Sequence, residues 1–134
     1  MILGVDPGER RVGVAIADDE TRFARPLEVI DVREMDPAAR IAALVNELNV
    51  RMIVIGRPVG LSGRAGPAIE AQRGFVAAVR AAVAVEVVEY DERLTSVLAE
   101  QGLRAAGADR GARKRIKDAL AAQVMLQGYL DGRA

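Results

Sequence analysis

Ile2-Leu3-Gly4-Val5-Asp6-Pro7-Gly8-Glu9-Arg10-Arg11-Val12-Gly13-Val14-Ala15-Ile16-Ala17 is the stretch on which the fold turns. Ile2 to Asp6 reads as a short buried strand that ends in an acid. Pro7-Gly8-Glu9-Arg10 reads as a turn, because proline sets φ and glycine tolerates positive φ. Arg11 to Ala17 is β-branched and apolar, a second strand, and the short gap makes the two a hairpin.

Outward from this hairpin, Pro26 to Val32 reads as a third strand. Asp36-Pro37 has the form of a helix start, with Asp as N-cap and Pro at the first helical position. Ile41, Leu44, Val45 and Leu48 follow at amphipathic spacing. Met52 to Ile55 is an all-apolar run, the mark of a strand buried on both faces. Gly56 to Pro67 holds four Gly and two Pro and reads as a loop. Ile69, Val76, Val79 and Val83 mark a second helix. Val85 to Tyr90 is a further strand, leading into Asp91-Glu92-Arg93. A helix over Leu94 to Ala106, a loop over Gly107 to Ala112 and a final helix from Lys114 to Asp131 complete the order β-β-β-α-β-α-β-α-α. Hairpin links make the three early strands antiparallel, and crossover helices make the later ones parallel. The expectation is one α/β domain over residues 1–134, a mixed five-stranded sheet flanked by helices.

Composition narrows the chemistry. The chain has 134 residues, 19 Lys or Arg against 19 Asp or Glu, and 51% apolar residues. Zero net charge argues against a generally basic arm, and the apolar fraction excludes wholesale disorder. Without a single Cys or His, disulfides, thiolate zinc sites and imidazole bases are excluded. There is no Trp and there are only four Phe or Tyr, too few for a multi-base stacking platform. Carboxylates, hydroxyls, Lys or Arg must do any chemistry. No signal peptide opens the sequence and no apolar run approaches about 20 residues, so the expected location is cytoplasmic, away from membranes.

Two acidic groups stand at strand exits, Asp6 on the first strand and Asp91-Glu92 on the last. Sites in open α/β sheets form beyond the carboxyl ends of parallel strands. If those two strands run the same way, the acids share one rim. Asp118 is the only acid in the first three turns of the final helix and shares a face with Ala122, Met125 and Tyr129. The opposite face, Ile116, Leu120 and Val124, is also apolar, so the helix reads as mostly buried. An acid there needs a partner or a metal. The plain alternatives are a turn-capping Asp6, a solvated strand exit at Asp91-Glu92, and a salt bridge from Asp118 to one of the 17 Arg. Three converging carboxylates would form an all-oxygen site suited to Mg²⁺ or Mn²⁺. Such a site can assist phosphodiester displacement. Arg104, Arg110, Arg113, Lys114, Arg115 and Lys117, against Asp109, give the segment just before Asp118 a net charge of +5. Cations at a helix N-terminus oppose the macrodipole, which points to an anionic partner.

At this point the motifs resemble those of the YqgF/RuvX family. Gly4-Val5-Asp6-Pro7-Gly8-Glu9-Arg10-Arg11-Val12-Gly13-Val14-Ala15 is similar to its opening motif. Asp91-Glu92-Arg93-Leu94-Thr95-Ser96 resembles its acidic-Arg-Leu-Thr-Thr motif, with Ser96 for the second Thr. Lys114-Arg115, Asp118 to Ala122, and Leu126-Gln127-Gly128-Tyr129-Leu130-Asp131 resemble its C-terminal signature. Gly56-Arg57-Pro58 stands where the family has Gly-Leu-Pro. The resemblance spans essentially the whole chain. It implies an RNase H-like fold of the Holliday-junction-resolvase type. It further implies a nuclease that matures the 5′ end of pre-16S rRNA, with some members implicated in junction resolution. By motif position, Asp6, Glu92 and Asp118 would be the catalytic, metal-binding acids. Asp91 would be a helper ligand or a structural neighbour.

Three readings follow. The first is a metal-dependent endonuclease on pre-rRNA or branched DNA, with Arg11, Arg113, Lys114, Arg115 and Lys117 binding phosphates. The fold family implies 5′-phosphate and 3′-hydroxyl products. The second is a non-catalytic nucleic-acid or ribosome-assembly module with the same basic patch. The third, an actin-like ATPase, needs two domains and a second phosphate loop, neither of which this chain has. The residues leave monomer and homodimer equally open.

Overall fold

The computed structural model describes residues 1–58, 67–92 and 110–132, with 58, 67–68, 91–92 and 110–116 by backbone alone. The expected helix over Leu94 to Ala106 and the glycine-rich stretch after Pro58 lie outside the described residues. Strands β1 (Ile2–Pro7), β2 (Arg11–Ala17) and β3 (Ala24–Asp31) are followed by helix α1 (Pro37–Glu47) and strand β4 (Met52–Pro58). Helix α2 (Pro67–Ala82), strand β5 (Glu86–Glu92) and helix α3 (Arg110–Asp131) complete the described elements.

The sheet has five strands in the order β3-β2-β1-β4-β5. β1 and β2, then β2 and β3, pair antiparallel; β1 and β4, then β4 and β5, pair parallel. This is the expected mixed sheet, and it brings the exits of β1, β4 and β5 to one rim. The entrance of β2 and the exit of β3 share that rim, because Arg11 pairs with Asp31.

Each face of the sheet buries its own core. Leu3, Val5, Val12, Val14, Ile53 and Ile55 pack beneath α1 and α2, whose Ile41, Leu44, Val76 and Val79 are buried. Ile2, Ala15, Ala17, Met52 and Val54 face α3, which contributes Ala122, Met125, Leu126, Tyr129 and Leu130. The alternation of strand residues between the two cores is the period-2 rule of a sheet covered on both sides. Asp36 caps α1 as its residue type predicts, accepting from the Ala38 amide at 3.2 Å, with Pro37 opening the helix.

The differences from the sequence reading are local. β4 runs on through Pro58, three strand pairings (Gly56, Arg57 and Pro58) into the stretch expected to be loop. β3 begins at Ala24, not Pro26; proline is tolerated there because β3 is an edge strand with an irregular register beside Ala15. α3 starts at Arg110, four residues before Lys114, and takes in Gly111 and Ala112, which the sequence placed in a loop. Nor is α3 buried nearly all round. Its buried face is Ala121, Ala122, Met125, Leu126, Tyr129 and Leu130, whereas Leu120 and Val124 are half-buried.

Candidate active site

Asp6 is half-buried near the exit of β1 and pairs in register with Gly13 of β2. Gly13 has a specific reason to be glycine. A Cβ there would stand 2.0 Å from the Asp118 carbonyl oxygen. At Gly4, two pairs further down the hairpin, a Cβ would come within 2.8 Å of the Leu126 Cβ. The two glycines therefore let α3 lie directly on the β1–β2 hairpin, with Asp118 over the strand neighbour of Asp6. An isolated glycine inside a strand pattern is the sequence signal for such an approach.

The contacts also set the direction of α3. Asp118 lies toward the rim and Leu126 toward the opposite end of the central strands, where the Tyr129 hydroxyl meets Met52 Sδ at 4.0 Å. The N-terminal end of α3, with Arg113, Lys114, Arg115 and Lys117, thus points to the rim that holds Asp6. Lys117 is half-buried.

Register separates the two acids of β5. Met52 and Val54 face α3, and they pair with Glu86 and Val88. Tyr90 packs against the same core and meets Tyr129 edge to face, with centroids 5.6 Å apart. Position 92 is in phase with 88 and 90, and hence with Asp6 and the α3 face. Position 91, paired with Arg57, is in phase with the opposite core.

Asp118 has a partner. Arg11 Nε donates to Asp118 Oδ2 at 2.6 Å, and about a quarter of each side chain stays exposed (26% and 27%). This is the salt bridge that the lone helical acid allowed, and its donor is a residue expected to bind phosphate. Beside it on the rim, the Arg33 side chain and amide hold Asp31, keeping that carboxyl below the usual carboxylate range. Arg10, Arg33 and Arg57 are rim cations to which composition drew no attention, because only the sheet topology brings them there.

A carboxylate-only donor set is chemically suited to a hard divalent cation. Among the described residues no group of three acids forms a metal-holding cluster; side chains of that candidate set are described at Asp6 and Asp118 only.

The family model for RuvX, described as Holliday junction resolvase, matches residues 1–132. The chain belongs to the RuvX family. Relatives extend over its whole length. A Chloroflexus aggregans protein named "Putative pre-16S rRNA nuclease" is 47% identical over 98% of this chain and 94% of its own. A Bacillus cytotoxicus protein of the same name is 41% identical over 98% of each. Among solved structures, Thermus thermophilus RuvC in complex with a Holliday junction substrate superposes with a TM-score of 0.59 at 20% identity, covering 98% of this chain and 94% of that one. The Fowlpox virus resolvase with its junction DNA gives 0.57 at 10% identity, covering 98% and 97%. At these identities the likeness is one of fold, and it places this RuvX chain in the resolvase architecture, RNase H-like as its motifs implied. No helix among the described residues is long and apolar enough to cross a membrane.

Proposed function

We propose that this RuvX chain is a divalent-metal-dependent endonuclease that hydrolyses phosphodiester bonds at the rim of its sheet, with the 5′ end of pre-16S rRNA as substrate. The observation that most directly supports the site is the seating of Asp118 over Gly13, the register partner of Asp6. The full-length relatives that bear the rRNA nuclease name support the substrate.

Asp6, Glu92 and Asp118 would hold the ion, Mg²⁺ or Mn²⁺. The phase of position 92 with the α3 face favours Glu92 over Asp91 as the ligand from β5. Bound there, a divalent cation supplies charge neutralisation at the scissile phosphate and a positioned water. The protein's own share is positional. Asp6 and Glu92 would come from two strand exits, and a helix clamped to the hairpin would bring Asp118. Arg113, Lys114, Arg115 and Lys117, at the rim end of α3, would bind backbone phosphates beside the reacting bond. Arg11, Arg10 and Arg33 would extend that contact along the β2–β3 side. Zero net charge keeps nonspecific attraction small, so binding would depend on this local patch. The work would be done in the cytoplasm.

A four-way DNA junction is the second substrate to consider, because the family model bears the resolvase description and the RuvC and Fowlpox complexes contain junctions. Labelled pre-rRNA leader RNA and a four-way junction, each incubated with Mg²⁺, Mn²⁺ or chelator, decide between them. The wild type is expected to cut the RNA faster, only with metal. Asp6→Asn and Asp118→Asn should each lose more than the roughly 10–100-fold that outer-shell partners of a metal cost. Preferential cutting of the junction would reverse the substrate order. Binding without cutting in every metal would replace the nuclease with an assembly module.

A further inference from the structure

Arg11 opens β2 at the rim and is in phase with Gly13, Ala15 and Ala17 on the α3 face. Its register partner, Asp31, is already held by Arg33. The Arg11 guanidinium instead takes Asp118 Oδ2, one of the two oxygens a metal ion would use. Asp118 sits on a helix seated against Gly13 and has little freedom to move away. Arg11 has a long, flexible stem, and about a quarter of its side chain is exposed. A guanidinium on a carboxylate relieves the repulsion among neighbouring acids, yet it repels a divalent cation approaching the same carboxylate. The same fork also fits a phosphate group.

We infer that Arg11 is an exchangeable counter-cation: it neutralises Asp118 when no metal ion is bound, and moves to a backbone phosphate of the nucleic acid when one is. This rests on the carboxylate reading of the site given above. Arg11 is a positioning residue in this scheme. It couples metal binding to nucleic-acid binding, and by linkage each strengthens the other by the same factor.

Mn²⁺ affinity, read by the loss of the free-ion EPR signal, tests this without turnover. Wild type, Arg11→Gln and Asp118→Asn are compared, with thermal unfolding as the check on folding. Arg11→Gln is expected to bind Mn²⁺ at least about fivefold more tightly than wild type, the lower end of measured coupling between sites. Should Arg11→Gln fold poorly, Arg11→Lys, with a weaker grip on Oδ2, is expected to lie above wild type in the same assay. In parallel, four-way junction binding in chelator and in Ca²⁺ should show a gain with Ca²⁺ in wild type that shrinks in Arg11→Gln. A folded Arg11→Gln with equal or weaker Mn²⁺ affinity would overturn the exchange, leaving Arg11 as a brace that orients Asp118. If Mn²⁺ binding to wild type is absent, or survives intact in Asp118→Asn, the carboxylate reading itself fails and the exchange with it.

Discussion

At the scale of single residues, Gly13 sets how closely α3, with Asp118, approaches the β1–β2 hairpin. Adding one methyl group at this position would put it 2.0 Å from the Asp118 carbonyl, so backbone must move. Gly13→Ala is expected to destabilise the fold by about 2–3 kcal/mol, the upper range for overpacking. It should also lift Asp118 from the rim, so that cleavage falls even under conditions where the variant is fully folded. Chemical denaturation and a cleavage assay check the two effects separately; an unchanged midpoint would show that α3 does not rest on this glycine. Asp118 itself was legible in the sequence, since a lone acid on an apolar helix demands a partner. Its partner was not, because Arg11 lies 107 residues away and 17 arginines compete for the role. The choice between Asp91 and Glu92 was likewise closed to a linear reading. It depends on strand phase, which only pairing reveals.

Among the elements, the C-terminal half of α3 is held by glutamines. Gln127 Oε1 accepts from the Ala24 amide at 2.8 Å, and its Nε2 donates to the Arg22 carbonyl at 3.0 Å. Gln123 Nε2 donates to the Ala24 carbonyl at 3.1 Å, and Arg22 returns a bond to the Leu130 carbonyl at 3.0 Å. These side chains act as a partial extra strand for the start of β3, an edge position that would otherwise have unpaired backbone. Gln127→Ala removes two of the bonds and is expected to lower stability by about 1–3 kcal/mol. Hydrogen exchange should speed up most at Ala24, and a variant with wild-type protection there would contradict the clasp. The strands and α1 were readable because apolar periodicity and the Asp36-Pro37 cap are local signals. The start of α3 was not, since Gly111 in the first turn looks like a breaker, yet the cost of one glycine, about 1 kcal/mol, is small against a 22-residue packed helix.

For the molecule as a whole, the proposed site draws on both ends of the chain. Asp6 comes from the first strand, Glu92 from the last and Asp118 from the closing helix. Parallel pairing through β4 aligns the two strand exits, and the small residues of the hairpin admit the helix. The strand order, and therefore the common rim, followed from hairpin and crossover rules applied to the sequence. A sheet covered on both faces followed as well, from the all-apolar run Met52 to Ile55; the seating of α3 on Gly4 and Gly13 did not, because that close approach leaves no hydrophobic pattern to read. In the proposed nuclease, chemistry occurs on the α3 face of that rim. The most direct test is metal-dependent cleavage of one labelled substrate by Asp91→Asn and Glu92→Gln, assayed side by side at equal folded concentration. Near-wild-type cutting by Asp91→Asn with loss of cutting by Glu92→Gln is the predicted result; an active Glu92→Gln beside an inactive Asp91→Asn would contradict it.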